Sequence, residues 1–229
     1  MAGRRRGRSP EGRAELRRAL VAAAVELFHT RGYESTTIDD IAAEAGFGRR
    51  TFFRYFRGKE DAVSPDHEAA LARIAEVFET AHPDEPVTPL VLRAGETVFD
   101  LYTEDPSLSV RRFALTHDIV ALRDRESASV DRYRRLFTRH LRHRLAHQPD
   151  GELRAAVIGA AVVAAHNLAL RSWLAAGAPA AGLDRCRQQF RRVASMLPVD
   201  GSTGRPPDTL TDLTRRLEQA VGRLERTSS

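Results

Sequence analysis

Within the stretch TTIDDIAAEAGFGRRTFFRYFRGKED, residues 36–61, the segment 49–56 sets three arginines, Arg49, Arg50 and Arg54, among four aromatic side chains, Phe52, Phe53, Tyr55 and Phe56. Guanidinium forks match the O6 and N7 acceptors of guanine and hold phosphate oxygens, so these residue types on one short helix suit the major groove of duplex DNA. A buried helix would reject the arginines, and a solvated one the aromatics. Spacing resolves the conflict. Phe52 and Phe56 lie four apart and share a face, with Phe47 just ahead, so they fill a core and leave Arg49, Arg50, Phe53 and Arg54 directed elsewhere.

Other chemistries find less support. The single cysteine, Cys186, allows no intrachain disulfide and excludes the usual cysteine-based zinc sites, which points to a reducing, cytoplasmic setting. His140, His143 and His147 share helical spacing, but a metal site also wants carboxylates or cysteines nearby, so no metal is expected. There is no serine elbow, phosphate-cradling glycine loop or pair of carboxylates at helical spacing, so no catalytic residue and no cofactor is assigned. An all-helical small-molecule enzyme with a basic arm is the weaker alternative.

Charge distribution agrees with a polyanionic partner. The chain of 229 residues carries a net charge of +5. Residues 1–60 hold 13 Lys and Arg against 8 Asp and Glu, whereas residues 61–229 hold 23 of each. Seven of those cations are arginines before Ala19, and the four within residues 1–12 read as a flexible basic arm or, alternatively, a solubilising tail. The arm runs into an amphipathic pattern rather than a continuous apolar core, so no export signal is expected.

The elements that must position these residues are helical. Leu16, Leu20, Ala23, Ala24, Leu27 and Phe28 recur at three-and-four spacing and predict a helix over 13–31, closed by Gly32. Thr37 can cap a second helix, about 38–45, with Asp39 and Asp40 in its first turn. Gly46 ends it, and a third helix runs about 49–56. Two short helices about a glycine turn make a helix-turn-helix. A fourth helix follows from Lys59, either kinked at Pro65 or starting afresh near it. Further helices are expected over about 88–104, 107–121, 127–147, 152–176 and 181–197, with breaks at EDP, RDRES, QPDG and GAPAAG. His166, Asn167 and Arg171 interrupt the apolar run 155–177 short of the about 20 residues a membrane span needs, so that helix is read as buried. After a linker, Leu210, Leu213, Leu217, Ala220 and Leu224 predict a short C-terminal helix over 209–227 that docks on the body or on a partner subunit.

ALVAAAVELFHTRGYESTTIDDIAAEAGFGRRTFFRYFRGKED resembles the N-terminal domain of the TetR family of transcriptional regulators, with no insertion between ELFHTRGY and GKED. RRTFFRYF and ALRSWLAAG further resemble the branch with acyl-CoA-like ligands or mycofactocin-type regulation. The resemblance implies an all-α chain with a basic arm at 1–12 and a three-helix helix-turn-helix domain at 13–62. A helical-bundle ligand-binding and dimerisation domain would follow at 63–198, then a linker and short helix at 199–229. It places Thr37, Thr51, Tyr55 and Lys59 on phosphates, and Arg49, Arg50 and sometimes Phe53 or Arg54 near base edges. Phe53 stands where relatives commonly have tyrosine, so thymine-methyl contact replaces a hydroxyl anchor there. Arg50 occupies a position often small in relatives. The resemblance also implies a homodimer through helices about 152–176 and 181–197, operator DNA as partner, and a small-molecule effector that shifts two reading heads out of groove spacing, roughly 34 Å. An effector-independent regulator is the nearer alternative.

Candidate ligand-lining residues are Phe78, Phe99, Tyr102, Phe113, His117, Tyr133, Phe137, His166, Asn167 and Trp173. Aromatics at helical spacing also read as core, whereas His117, His166 and Asn167 must find polar partners if buried. The cations in RRF, 111–113, and RYRRLFTRHLRHRLAH, 132–147, suit an anionic ligand such as a coenzyme A phosphate, or else a solvated helix face.

Overall fold

A computed structural model describes residues 9–197; the arm before Ser9 and the linker and C-terminal helix predicted after residue 198 lie outside the described residues. Every regular element among them is helical. Helix α1 (Pro10–Arg31) starts three residues before the predicted boundary. The Ser9 side chain accepts the Gly12 N–H at 3.1 Å, and Pro10 occupies the first turn, where its missing N–H costs nothing. Part of the expected arm is therefore helix. Leu20, Ala24, Val25, Leu27 and Phe28 bury its inner face.

Helix α2 (Ile38–Glu44) opens with a capping box in which Thr37 and Asp40 satisfy each other's backbone N–H groups. Gly46 takes φ 76°, a left-handed turn that a side chain would strain. Helix α3 (Arg49–Phe52) is shorter than the predicted 49–56. Its chain continues through tightened bonds, Arg54 N–H to the Thr51 carbonyl at 3.2 Å and Tyr55 N–H to the Phe52 carbonyl at 2.9 Å. That tighter winding brings both Phe52 and Phe56 into the core, their rings 5.4 Å apart.

Helix α4 (Lys59–Val63) stops at Ser64, which is extended as the residue before a proline tends to be, and α5 (His67–Glu79) begins afresh with Asp66 as cap. The open choice at Pro65 thus resolves as a break. The predicted helix 88–104 divides into α6 (Val87–Glu96) and α7 (Asp100–Thr103), joined by turn bonds that carry Phe99 inward onto His166.

The break expected at RDRES is absent. Helix α8 (Pro106–Asp118) ends at extended Ile119, and α9 (Val120–Arg144) runs straight through Arg123–Ser127. Leu122, Ser129, Tyr133, Leu136 and Phe137 keep one buried face across the charged segment. Polar residues on that face at 126 and 129 hid its period in the sequence.

Helix α10 (Gly151–Ala175) is the central element and packs antiparallel to α9 across a short turn; it is long and apolar enough for a membrane span, yet buries Ala155, Ile158, Val162, His166, Leu170 and Trp173 inside the fold. Gly159 permits the close approach to α9, because a Cβ there would lie 2.8 Å from the Thr138 hydroxyl. Helix α11 (Leu183–Arg191) is shorter than predicted and tightens into a 3₁₀ turn, Arg192–Met196.

Two cores result. The larger lies among α5 to α11, and the smaller, under the helix-turn-helix, draws Leu115 from α8 and Leu122 from α9. The α8–α9 corner therefore belongs to both halves of the molecule.

Candidate nucleic-acid interface and ligand cavity

The end of α3 presents a compact outward face. Phe52 is fully buried and holds the helix down, while Phe53 is 46% exposed and meets it edge-on at 5.7 Å. The Arg49 guanidinium lies 5.2 Å over the Phe53 ring and pairs with Asp39 at 3.0 Å. Arg50, Thr51, Phe53 and Arg54 line a shallow depression. Arg50 has no carboxylate partner among the described residues, and Arg54 rests over the Tyr55 ring at 5.2 Å. Tyr55 is half-buried against the core. An exposed cationic fork beside an apolar ring can hold phosphate and read a base edge together.

Two predicted phosphate contacts are committed elsewhere. The Thr37 hydroxyl accepts the Asp40 N–H at 3.1 Å and donates to the Asp40 carboxylate at 2.5 Å. The hydroxyl bond, together with the Thr37 backbone N–H donating to the same carboxylate at 2.8 Å, holds the Asp40 carboxyl below its usual range. The Lys59 ammonium donates to the carbonyls of Tyr33 at 2.7 Å and Thr36 at 3.2 Å, and sits 4.0 Å over the Tyr33 ring. Lys59 is thus a staple between α4 and the α1–α2 loop, with one of its three donors left for a phosphate.

A cavity of about 180 Å³ opens where α8, α9 and α10 converge. It unites four predicted residues, Tyr102, Phe113, His117 and Asn167. A recess of about 20 Å³ adjoins it through the shared Tyr102, Glu126 and Asn167, and adds Tyr133, Phe137 and His166. Its lining is mainly apolar, with Glu126, His166 and Asn167 as polar groups. His67 accepts or donates at Nδ1 with the Tyr133 hydroxyl at 2.9 Å, and its Nε2 lies 3.2 Å from Glu126. Burial pushes the Tyr133 phenol above its usual range, with the Glu126 carboxylate adding to it. His166 is buried, its Nε2 has no partner, and desolvation pushes its pKa down to about 4, so the ring is neutral.

The other three ligand candidates are core residues. Phe78 stacks on His140 at 4.8 Å and meets Phe137 edge-on. Phe99 is fully buried between His166 and Phe190. Trp173 donates its indole N–H to the Pro179 carbonyl at 3.0 Å, fixing the turn after α10. Aromatic spacing alone did not separate these three from the cavity wall. Among the described residues no group of three His, Cys, Asp or Glu is placed to hold a metal. The sequence reading missed Arg123, Glu126 and Arg171, all on the wall. Arg171 carried a signal, a cation within a long apolar run.

Residues 20–63 match the family described as bacterial regulatory proteins, tetR family. The HTH-type transcriptional regulator YdgC of Bacillus subtilis is 32% identical over 106 residues, 44% of this chain and 54% of that protein. MftR of Mycobacterium tuberculosis, named for transcriptional regulation of mycofactocin biosynthesis, is 29% identical over 110 residues, 48% of this chain and 52% of that protein. The chain spans about half the length of the curated relatives it matches. The fold resembles that of SmeT, the repressor of a Stenotrophomonas maltophilia multidrug efflux pump, solved with triclosan: TM-score 0.54 at 18% identity, covering 86% of this chain and 99% of that one.

Proposed function

We propose that the chain is a TetR-family transcriptional regulator that works as a homodimeric operator-binding repressor, released by a small molecule in the α8–α10 cavity. The observation that carries the reading is the unpaired, outward Arg50 beside Thr51, Phe53 and Arg54, seated on a helix that buried Phe52 fixes to the core. Such a face suits a polyanion with readable edges. Its place of action is then the cytoplasm, with the nucleoid.

Pairing of two copies is supported by α10. Leu153, Val157 and Leu168 are 64%, 46% and 61% exposed, and exposed Ala160 and Ala164 complete one apolar stripe with them. Small residues between large ones let a second helix approach closely, and a stripe of this kind is self-complementary across a two-fold axis. The cavity supports control by a ligand over effector-independent binding, as does the complex of SmeT with triclosan within the same fold. Similarity to MftR supports the narrower branch.

The test is the purified chain against duplex DNA upstream of its own gene, by polarisation at two salt concentrations with random duplex as competitor. A regulator binds specifically and loses affinity steeply with salt. Affinity equal to that for random duplex across its own and neighbouring promoters would overturn the reading.

A further inference from the structure

Three guanidinium groups border the cavity, Arg112 from α8, Arg123 from α9 and Arg171 from α10. No carboxylate lies within ion-pair distance of any of them among the described residues, although many arginines elsewhere on the surface are paired. The one acid on the wall, Glu126, is engaged with His67 at 3.2 Å. The wall therefore carries three guanidinium groups against one carboxylate, an excess of positive charge.

Arg112 makes the imbalance sharpest. Its Nε is buried without an acceptor. Desolvation, then repulsion from Arg17, push its pKa down to about 10, and the attraction of Tyr102, Asp105 and Asp66 does not restore it. A guanidinium held in this state gains most from an anion that forks across it. Tyr102, Phe113, Leu170 and Leu174 give the wall an apolar and aromatic side, and Ser109, Thr116, His117 and Asn167 add polar groups. The volume of about 180 Å³ compares with the roughly 150 Å³ cavities that accept one benzene ring.

We propose that this cavity takes an aryl carboxylate, with one aromatic ring packed against Phe113 and Leu170 and a short acid arm reaching the Arg112 fork, while Arg171 and Arg123 close the charge at the mouth. The assignment rests on the ligand-controlled reading above and names its effector class. Carboxylate specificity follows from geometry: an amide presents one oxygen and two donors to a fork that offers only donors, and an amine presents a like charge.

The probes are 3-phenylpropanoate, 3-phenylpropanamide and 3-phenylpropylamine, titrated calorimetrically into the full chain. The acid binds at least about tenfold more tightly than the amide, the amine gives no binding, and Arg112→Gln removes the preference. Arg171→Gln, at the exposed mouth, lowers acid affinity several-fold and serves if Arg112→Gln melts early. Amide or amine binding as tight as the acid's, or an acid affinity untouched by both variants, overturns the anion assignment and leaves a ligand-controlled cavity standing. Silence from all three probes, with operator binding intact, overturns the aryl class. Acid binding that depends on Arg112 but leaves operator affinity unchanged upholds the site and overturns its role as effector site.

Discussion

Arg125 on α9 forms an ion pair with Asp61 on α4 and donates from Nε to the Ser64 hydroxyl at 3.2 Å, while the next residue, Glu126, lines the cavity. One turn of helix thus touches both the ligand space and the helix that follows the reading unit. Arg111 on α8 makes a parallel link, pairing with Glu26 of α1 at 2.6 Å, and its carbonyl meets His29 at 3.1 Å. A shift of the α8–α9 corner must therefore carry α1 and α4 with it. Arg125→Ala should leave operator affinity within about threefold, since partly exposed pairs contribute about 0.2–1 kcal/mol. It should also weaken the drop in operator affinity that effector causes. Operator titrations with and without effector measure both, and an undiminished drop would mean that coupling runs through α1 alone.

Arg50 and Lys59 should separate in kind. Arg50 is free and outward, so Arg50→Ala should cost about 1–3 kcal/mol at one operator base pair and little on random duplex. Lys59 holds two loop carbonyls, so Lys59→Met should lower thermal stability and weaken binding to every sequence alike. Polarisation against an operator and single-base variants, paired with melting curves, distinguishes them. Uniform loss of affinity in Arg50→Ala would remove it from the base-reading set.

The cap of α2 predicts a smaller, local effect. Thr37→Ala removes the side chain that satisfies the Asp40 N–H and should destabilise by about 1 kcal/mol, or a melting shift of about 2–4 °C. Thr37→Ser keeps the oxygen and should restore most of it. Equal losses in both would show that the methyl group, rather than the cap, matters there.

What was readable in the sequence followed local chemistry. Gly32, Thr37 and Gly46 set helix ends within a residue or two, and Phe52 and Phe56 declared the buried face, because caps and short-range spacing act within one turn. The α8–α9 corner was misplaced because the charged RDRES segment looks like a loop, and only tertiary burial of Leu122, Ser129 and Tyr133 keeps it helical. The cavity was half legible. His166 and Asn167 stood out as polar groups on an apolar helix, whereas the convergence of Arg112, Arg123 and Arg171 from three helices depends on how those helices cross, which no local pattern encodes.

His166 makes the stability of the larger core depend on pH. Its folded pKa, about 4, lies below the ordinary value of 6.5, chiefly because burial penalises the charged ring. The unfolded chain therefore takes up a proton first as pH falls, so the stabilisation is complete above about pH 6.5 and is lost progressively toward pH 4. At pH 5 this amounts to about 2 kcal/mol, or roughly 4–8 °C in melting temperature for a chain of this size. Desolvation also lowers His140, which adds in the same direction. Melting curves from pH 7.5 to 5 in the wild type and His166→Gln isolate the contribution: the variant melts lower at pH 7.5, yet its curve against pH is flatter. Parallel curves in the two proteins would place the acid sensitivity in other groups and leave His166 as packing alone.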